Sequence, residues 1–255
     1  MSREDRPSSS ARRATDPEGH GHEKGQGHGD GHGHDHGQAH AGAHGHGHGH
    51  GHGHGPGGHP GWSREQAVAV LESPERRSML DPDALWKEVE LLPGSVVVDV
   101  GAGTGFFAFP AARRVGPAGK VYAVDVSKDL VGLLEERRTK AHLPQVEVVA
   151  STPERIPLPS GVADMVLMAT VLHDVPKETV AEAVRLLRPG GCFVNLDWEK
   201  RETPGGPPLE IRHTPEEAAE RLAAAGLKVV RAWKAGPHHY VQLLRRKEEP
   251  PGSEC

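Results

Sequence analysis

Cysteine is nearly missing from this chain. Of 255 residues only Cys192 and Cys255 carry a thiol, so no disulfide framework is expected and a reducing compartment fits. Long apolar runs are missing too. About 18 consecutive apolar residues are needed to cross a bilayer, and no such run occurs, so no membrane contact is expected. A basic excess is also lacking, with 30 Lys and Arg against 35 Asp and Glu. That argues against a partner gripped through phosphate neutralisation, and nucleic acid is not expected. Arg12-Arg13 has no apolar segment behind it and does not read as an export signal. These absences together predict a cytoplasmic location.

Apolar periodicity fails over the first quarter of the chain. From Gly19 to Gly61 nearly every residue is Gly, His or another small or polar type, which cannot form a core. The expected organisation is a disordered tail over 1–61, one domain over 62–246 and a short disordered tail over 247–255. Fourteen of the 19 histidines fall between His20 and His59. His44, His46, His48, His50, His52 and His54 alternate with glycine without a break. Imidazole is a ready ligand for divalent Zn, Ni, Co or Cu, and glycine spacers let several rings wrap one ion. No structural zinc spacing is present. The arm is expected to bind divalent metal with little selectivity, in storage, delivery or sensing. Read blandly, it is a solvated arm whose charge rises below about pH 6.5. Its length and its Asp, Glu and Gln interruptions argue against an expression tag.

The remaining sequence alternates strand and helix signals. Helices are predicted over Trp62 to Leu80, broken at Pro74, and from the Asp81 cap through Leu91. Strands follow at Ser95–Val100, Lys120–Val126, Val146–Val149, Ala163–Ala169 and Cys192–Trp198. The helices between them begin near Phe106, with a kink at Pro110, after the Ser127 cap, and at Lys177. Arg188-Pro189-Gly190-Gly191 reads as a turn. Thr214 caps a helix ending at Gly226. Leu227–Trp233 and His239–Leu244 have no helix between them and must pair as a hairpin. The fold class is therefore α/β: a doubly wound, seven-stranded, mostly parallel sheet with a C-terminal antiparallel hairpin.

The most informative stretch is VVVDVGAGTGF, Val96 to Phe106. An apolar strand, a glycine-rich turn and a helix form a nucleotide-type cofactor site. Spacing selects the cofactor. A dinucleotide fingerprint places Gly or Ala at the sixth position from its first glycine, and here that position is Phe106. The pattern D-x-G-x-G-x-G resembles motif I of the class I S-adenosylmethionine (SAM)-dependent methyltransferases, within them the ubiquinone/menaquinone-biosynthesis type. The resemblance covers nearly all of Trp62 to Leu244 and implies a Rossmann-like methyltransferase fold.

By that resemblance, Asp99 serves the ammonium of SAM. Backbone N–H groups across Gly101, Ala102, Gly103, Thr104 and Gly105, at a helix start, suit its carboxylate. Asp125 ends the second strand, where an acid accepts from ribose hydroxyls, and Val126 lies against the adenine. After the third strand the family has an acid or amide for the adenine amino group. This chain has Ser151 and Thr152, so one of these or a backbone carbonyl takes that place. Ala169 and Thr170 lie beside the cofactor. His173 and Asp174 follow as candidate catalytic residues, His173 to orient substrate or take a proton. Asp197 and Trp198 end the fifth strand, lining the pocket or packing. His213, His238 and His239 lie on the same side of the sheet.

The expected function is methyl transfer from SAM to a small-molecule acceptor. The sulfonium is already electrophilic, so alignment and desolvation carry the reaction and a base is needed only for a protonated nucleophile. A cysteine-based metalloid mechanism does not fit two cysteines placed in a strand and at the terminus. Two other readings compete: a metal-handling or SAM-sensing protein with an inactive methyltransferase-like domain, and an NAD(P)-linked oxidoreductase, against which Phe106 and the closing hairpin stand. Neither the acceptor nor the oligomeric state is legible.

Overall fold

The computed structural model describes residues 63–248. The histidine-rich arm, its six alternating histidines and the expected C-terminal tail from residue 249 lie outside them. Three helices come first: α1 (Arg64–Leu71), α2 (Pro74–Met79) and α3 (Pro82–Glu88). Each is opened by a side-chain cap, from Ser63, Ser73 and Asp81. Pro74 and Pro82 stand at the first helical positions, where no N–H is needed.

Helix α3 stops at Glu88 rather than Leu91. The Leu91 N–H bonds the Trp86 carbonyl at 2.9 Å and the Glu90 N–H bonds the Lys87 carbonyl at 3.1 Å. Glu90 takes a left-handed φ of 54°. This is a Schellman stop with glutamate where glycine is usual, so the stop carries no glycine signal.

Seven strands form one sheet: β1 (Val96–Val100), β2 (Lys120–Asp125), β3 (Val146–Ala150), β4 (Ala163–Ala169), β5 (Leu187–Trp198), β6 (Leu227–Ala235) and β7 (His239–Arg246). Their order is β3-β2-β1-β4-β5-β7-β6. β7 runs antiparallel to both β5 and β6, and the remaining pairs are parallel. The chain leaves β1 toward β2 and later returns on the other side to β4. The crevice beyond the C-terminal ends of β1 and β4 is thus the topological switch point, where open α/β sheets bind ligands.

Helices α4 (Ala108–Val115), α5 (Lys128–Lys140), α6 (Lys177–Leu186) and α7 (Pro215–Ala224) complete the layers. Trp86, Ala111, Val115 and Leu134 pack with Val97 and Leu167 on one face. Val180, Val184 and Leu222 pack with Val98, Val166 and Phe193 on the other.

Two local expectations need correction. Pro110 lies in the first turn of α4, where helix N–H groups have no intrahelical acceptor, so it costs no hydrogen bond and gives no reason for a kink. Arg188 to Gly191 do not precede β5 but are extruded from within it. Ala163 pairs with Leu187 and Met165 with Cys192, so four residues oppose Asp164 alone. Gly190 supplies a φ of 79°. A Cβ on Gly191 would lie 3.0 Å from the carbonyl oxygens of Arg188 and Asp164. Cys192 is buried in β5.

Candidate cofactor and active site

The turn after β1 is built by glycines in the left-handed region, with φ of 74° at Gly101, 58° at Gly103 and 84° at Gly105. Its amides point back into the protein. The N–H groups of Gly101 and Ala102 both donate to the Val124 carbonyl at 2.9 Å, and Gly105 donates to the Ala102 carbonyl at 2.8 Å. The Gly103 N–H donates to Asp125 Oδ2 at 2.8 Å. Helix α4 begins only at Ala108, and the Ala108 backbone N–H helps to favour the ionised Asp99 carboxyl. Four of the five anion-binding amides expected at this turn are therefore engaged, that of Thr104 excepted.

Asp99 is 2% exposed, and its Oδ2 has no partner among the described residues. Burial, and then the charge of Asp125, push its carboxyl up to about 7, against the Ala108 N–H and the Arg76 charge. A buried acceptor left open is costly, and an ammonium group would satisfy it. Asp125 is 1% exposed. Its second oxygen accepts from the Ser127 N–H at 2.9 Å.

A small cleft opens at the C-terminal edge, lined by Gly101, Asp125, Val126, Ser151 and Val171 among others. It brings four of the sequence-predicted residues together from three strand ends. Val126 is partly exposed there. Thr152 faces a bridge with Arg155 instead, and only Ser151 of that pair lines the cleft. Ala169 is buried at the end of β4. Thr170 follows with φ 56°, a strained conformation of the sort found where surrounding structure fixes it. Thr104 is fully buried and its hydroxyl is unpartnered.

Helices α1 and α2 cover this turn. Val68 and Leu71 pack with Leu130 and Leu133 of α5, and Arg64 pairs with Glu136. Leu71 Cδ1 lies 2.9 Å from where a Gly103 Cβ would be. Glu72 accepts from Arg137 Nη1 at 2.7 Å, and the same nitrogen donates to the Thr104 carbonyl at 2.9 Å. Arg76 and Arg77 lie 5.2 and 5.5 Å from the centre of the Phe106 ring. Arg76 Nη2 donates to Thr170 Oγ1 at 3.3 Å. No motif in the sequence marks this cover. Arg76 in PERRSM looks like any charge on a short exposed helix, and only tertiary placement distinguishes it.

Of the two candidate catalytic residues, His173 is tied into a network. Its Nδ1 lies 2.8 Å from Asp197 Oδ1, and its backbone N–H donates to Asp197 Oδ2 at 3.3 Å. The Trp198 N–H also donates to Asp197, at 2.8 Å. Asp174 lies beside it in a single 3-10 turn over Leu172–Asp174. The three remaining histidines are not brought into one pocket. His238 approaches Arg201 at 3.1 Å. His213 is held below the usual imidazole range by burial and by Arg221. His239 is fully buried against Trp198, with ring centres 4.1 Å apart. Burial and the Arg76 charge press it down to about 3. Trp198 packs as well as lining this end of the sheet, since Arg212 stacks over it at 5.1 Å. No cluster of three metal-ligating side chains exists among the described residues.

A family model for a methyltransferase domain matches residues 98–195, from β1 into β5. The ubiquinone/menaquinone biosynthesis C-methyltransferase UbiE of Methylobacterium nodulans is 33% identical over 111 residues. That match covers 43% of this chain and 44% of the relative, so the chain spans less than half the length of that curated protein. A crystal structure of a SAM dependent methyltransferase from Aquifex aeolicus is 32% identical, with a TM-score of 0.68, covering 72% of this chain and 98% of that one. The 1,6-didemethyltoxoflavin-N1-methyltransferase of Burkholderia thailandensis, solved with S-adenosylhomocysteine, shares the fold at 23% identity and a TM-score of 0.54, over 72% of this chain and 87% of that one.

Proposed function

The chain belongs to the class I SAM-dependent methyltransferases, and from that premise we propose that it transfers a methyl group from SAM to a small-molecule acceptor. The observation that carries this reading is the switch-point cleft. Gly101, Asp125, Val126 and Ser151 line it, and Asp99, the penultimate residue of β1, carries a buried, open carboxylate oxygen. The donor set suits a ligand with a nucleoside at one end and an ammonium at the other. SAM supplies an electrophilic methyl group on a sulfonium.

The residues of this chain then bind, orient and exclude water. Asp125 faces the ribose, Val126 and Ser151 the base, and Asp99 the ammonium. Helices α1 and α2 close over the turn and keep water out, which strengthens every charge interaction inside. His173 is the candidate base. With Nδ1–H donated to Asp197, its Nε2 is left to accept a proton from an acceptor that arrives protonated. The fingerprint position taken by Phe106 stands against a dinucleotide. Calorimetric titration with SAM and with NAD tests the reading: saturable binding of NAD and none of SAM would sink it.

The histidine-rich arm is proposed to bind divalent metal as a separate module. Its support is compositional, the unbroken His-Gly alternation from His44 to His54. Titration of the full chain with Zn²⁺ or Ni²⁺, against a chain lacking residues 1–61, tests it; equal uptake by both would contradict it.

A further inference from the structure

The methionine end of SAM is a zwitterion, with ammonium and carboxylate on one carbon. If Asp99 takes the ammonium, the carboxylate must find a receptor close by. Four of the five amides of the glycine turn do not offer it, because those of Gly101, Ala102, Gly103 and Gly105 are spent on Val124, Asp125 and Ala102, and the Thr104 N–H that is left is a single uncharged donor. The first amide of α4 is turned toward the Asp99 carboxyl, whose ionised form it favours.

A cation is available in the right place. Arg76, carried by α2, is close enough to Asp99 for its charge to favour the ionised carboxylate. It nevertheless makes no ion pair among the described residues, and its Nε is buried without a partner. Its one side-chain bond is the long one to Thr170 at 3.3 Å. The Phe106 ring supports the plane of the guanidinium at 5.2 Å. Burial lowers it to about 10, which leaves it charged at neutral pH. A part-buried, charged guanidinium whose Nε is enclosed without a partner is costly unless an anion joins it, and the planar fork of arginine matches a carboxylate with two parallel bonds.

We propose that Arg76 is the carboxylate receptor of the cofactor site, gripping the methionine carboxylate while Asp99 grips the ammonium. The inference rests on the reading of the cleft as a SAM site. It also gives α2 a role: the segment that covers the glycine turn supplies one half of the zwitterion clamp, so cofactor binding and closure of the cover are one event. The Arg76 charge acts on Asp99, which favours the amino-acid end over an anionic group on the acceptor, since both charges of one small moiety are then met together.

The test is calorimetry on the full chain with two ligands. S-adenosylhomocysteine carries the amino-acid end, and 5′-methylthioadenosine lacks it. Replacement Arg76→Met should weaken S-adenosylhomocysteine by about 30-fold, the scale of a lost charge-assisted pair, and leave methylthioadenosine unchanged. Arg76→Lys should fall between, keeping charge without the fork. Unchanged affinity for S-adenosylhomocysteine in Arg76→Met would overturn the proposal and point to the acceptor as the source of the anion. Equal losses for both ligands would overturn it as well, as the mark of a structural role. Failure of the unaltered chain to bind S-adenosylhomocysteine at all would instead remove the SAM reading beneath it.

Discussion

Asp99 carries the sharpest chemical consequence of the site. Its carboxyl is raised to about 7 by burial and by Asp125, yet it must be ionised to hold an ammonium. Below pH 7 ligand binding therefore has to expel a proton. Affinity for S-adenosylhomocysteine should rise about tenfold per pH unit up to pH 7 and level off above it. Asp99→Asn should bind weakly with a flat profile; a flat profile in the unaltered chain would contradict the assignment. The same shift acts on stability with a fixed sign. The folded chain holds the proton more tightly than the unfolded one, so this group's contribution is full below about pH 4 and is lost as pH rises to 7. Thermal melts of the ligand-free protein between pH 4 and 7 should show that slope, and Asp99→Asn should flatten it. His173 is the other residue with a definite expectation. His173→Ala should lower methyl-transfer turnover by about 10²-fold or more if it serves as base, with S-adenosylhomocysteine affinity unchanged. Undiminished turnover would restrict His173 to holding Asp197.

At the scale of elements, the glycine turn depends on conformations that only glycine adopts cheaply. Gly103 combines a φ of 58° with the Leu71 methyl 2.9 Å from any Cβ. Gly103→Ala should cost about 1–2 kcal/mol from the left-handed backbone alone, and it should also lift α1 off the turn, seen as faster hydrogen exchange in residues 64–71. The Schellman stop at Glu90 gives the opposite expectation. Glu90→Gly should stabilise by about 0.5–1 kcal/mol in urea unfolding, because the left-handed strain is relieved. These two turns show what was legible. Strand positions were readable to within a residue or two where β-branched runs end at glycine or proline, as at Val96–Val100 and Ala163–Ala169. The end of α3 was not, because its stop is made by backbone bonds around a glutamate. The extruded Arg188–Gly191 segment carries true turn residues, and the misreading lay only in placing them before the strand. Gly101, Asp125 and Val126, singled out from their spacing, do come together along one cleft. Arg76 was not singled out, since no motif marks a charge on a six-residue helix that folds over the turn.

The whole molecule is a methyltransferase-family domain preceded by an arm of another composition. The sheet order places β1 and β4 at the switch point, so each strand that matters to the cofactor delivers its last residue to one edge. Nothing in that geometry calls on residues 1–61. A chain lacking them should keep its turnover and lose its uptake of divalent metal, which parallel activity and metal-titration measurements check; lost turnover would join the arm to the catalytic unit. The central claim concerns which ligand the glycine turn accepts, and side-by-side calorimetric titration of the full chain with SAM and NAD tests it most directly. SAM should bind saturably and one-to-one, with binding abolished by Asp99→Ala, and NAD should give no heat. Saturable NAD binding with none for SAM would contradict it.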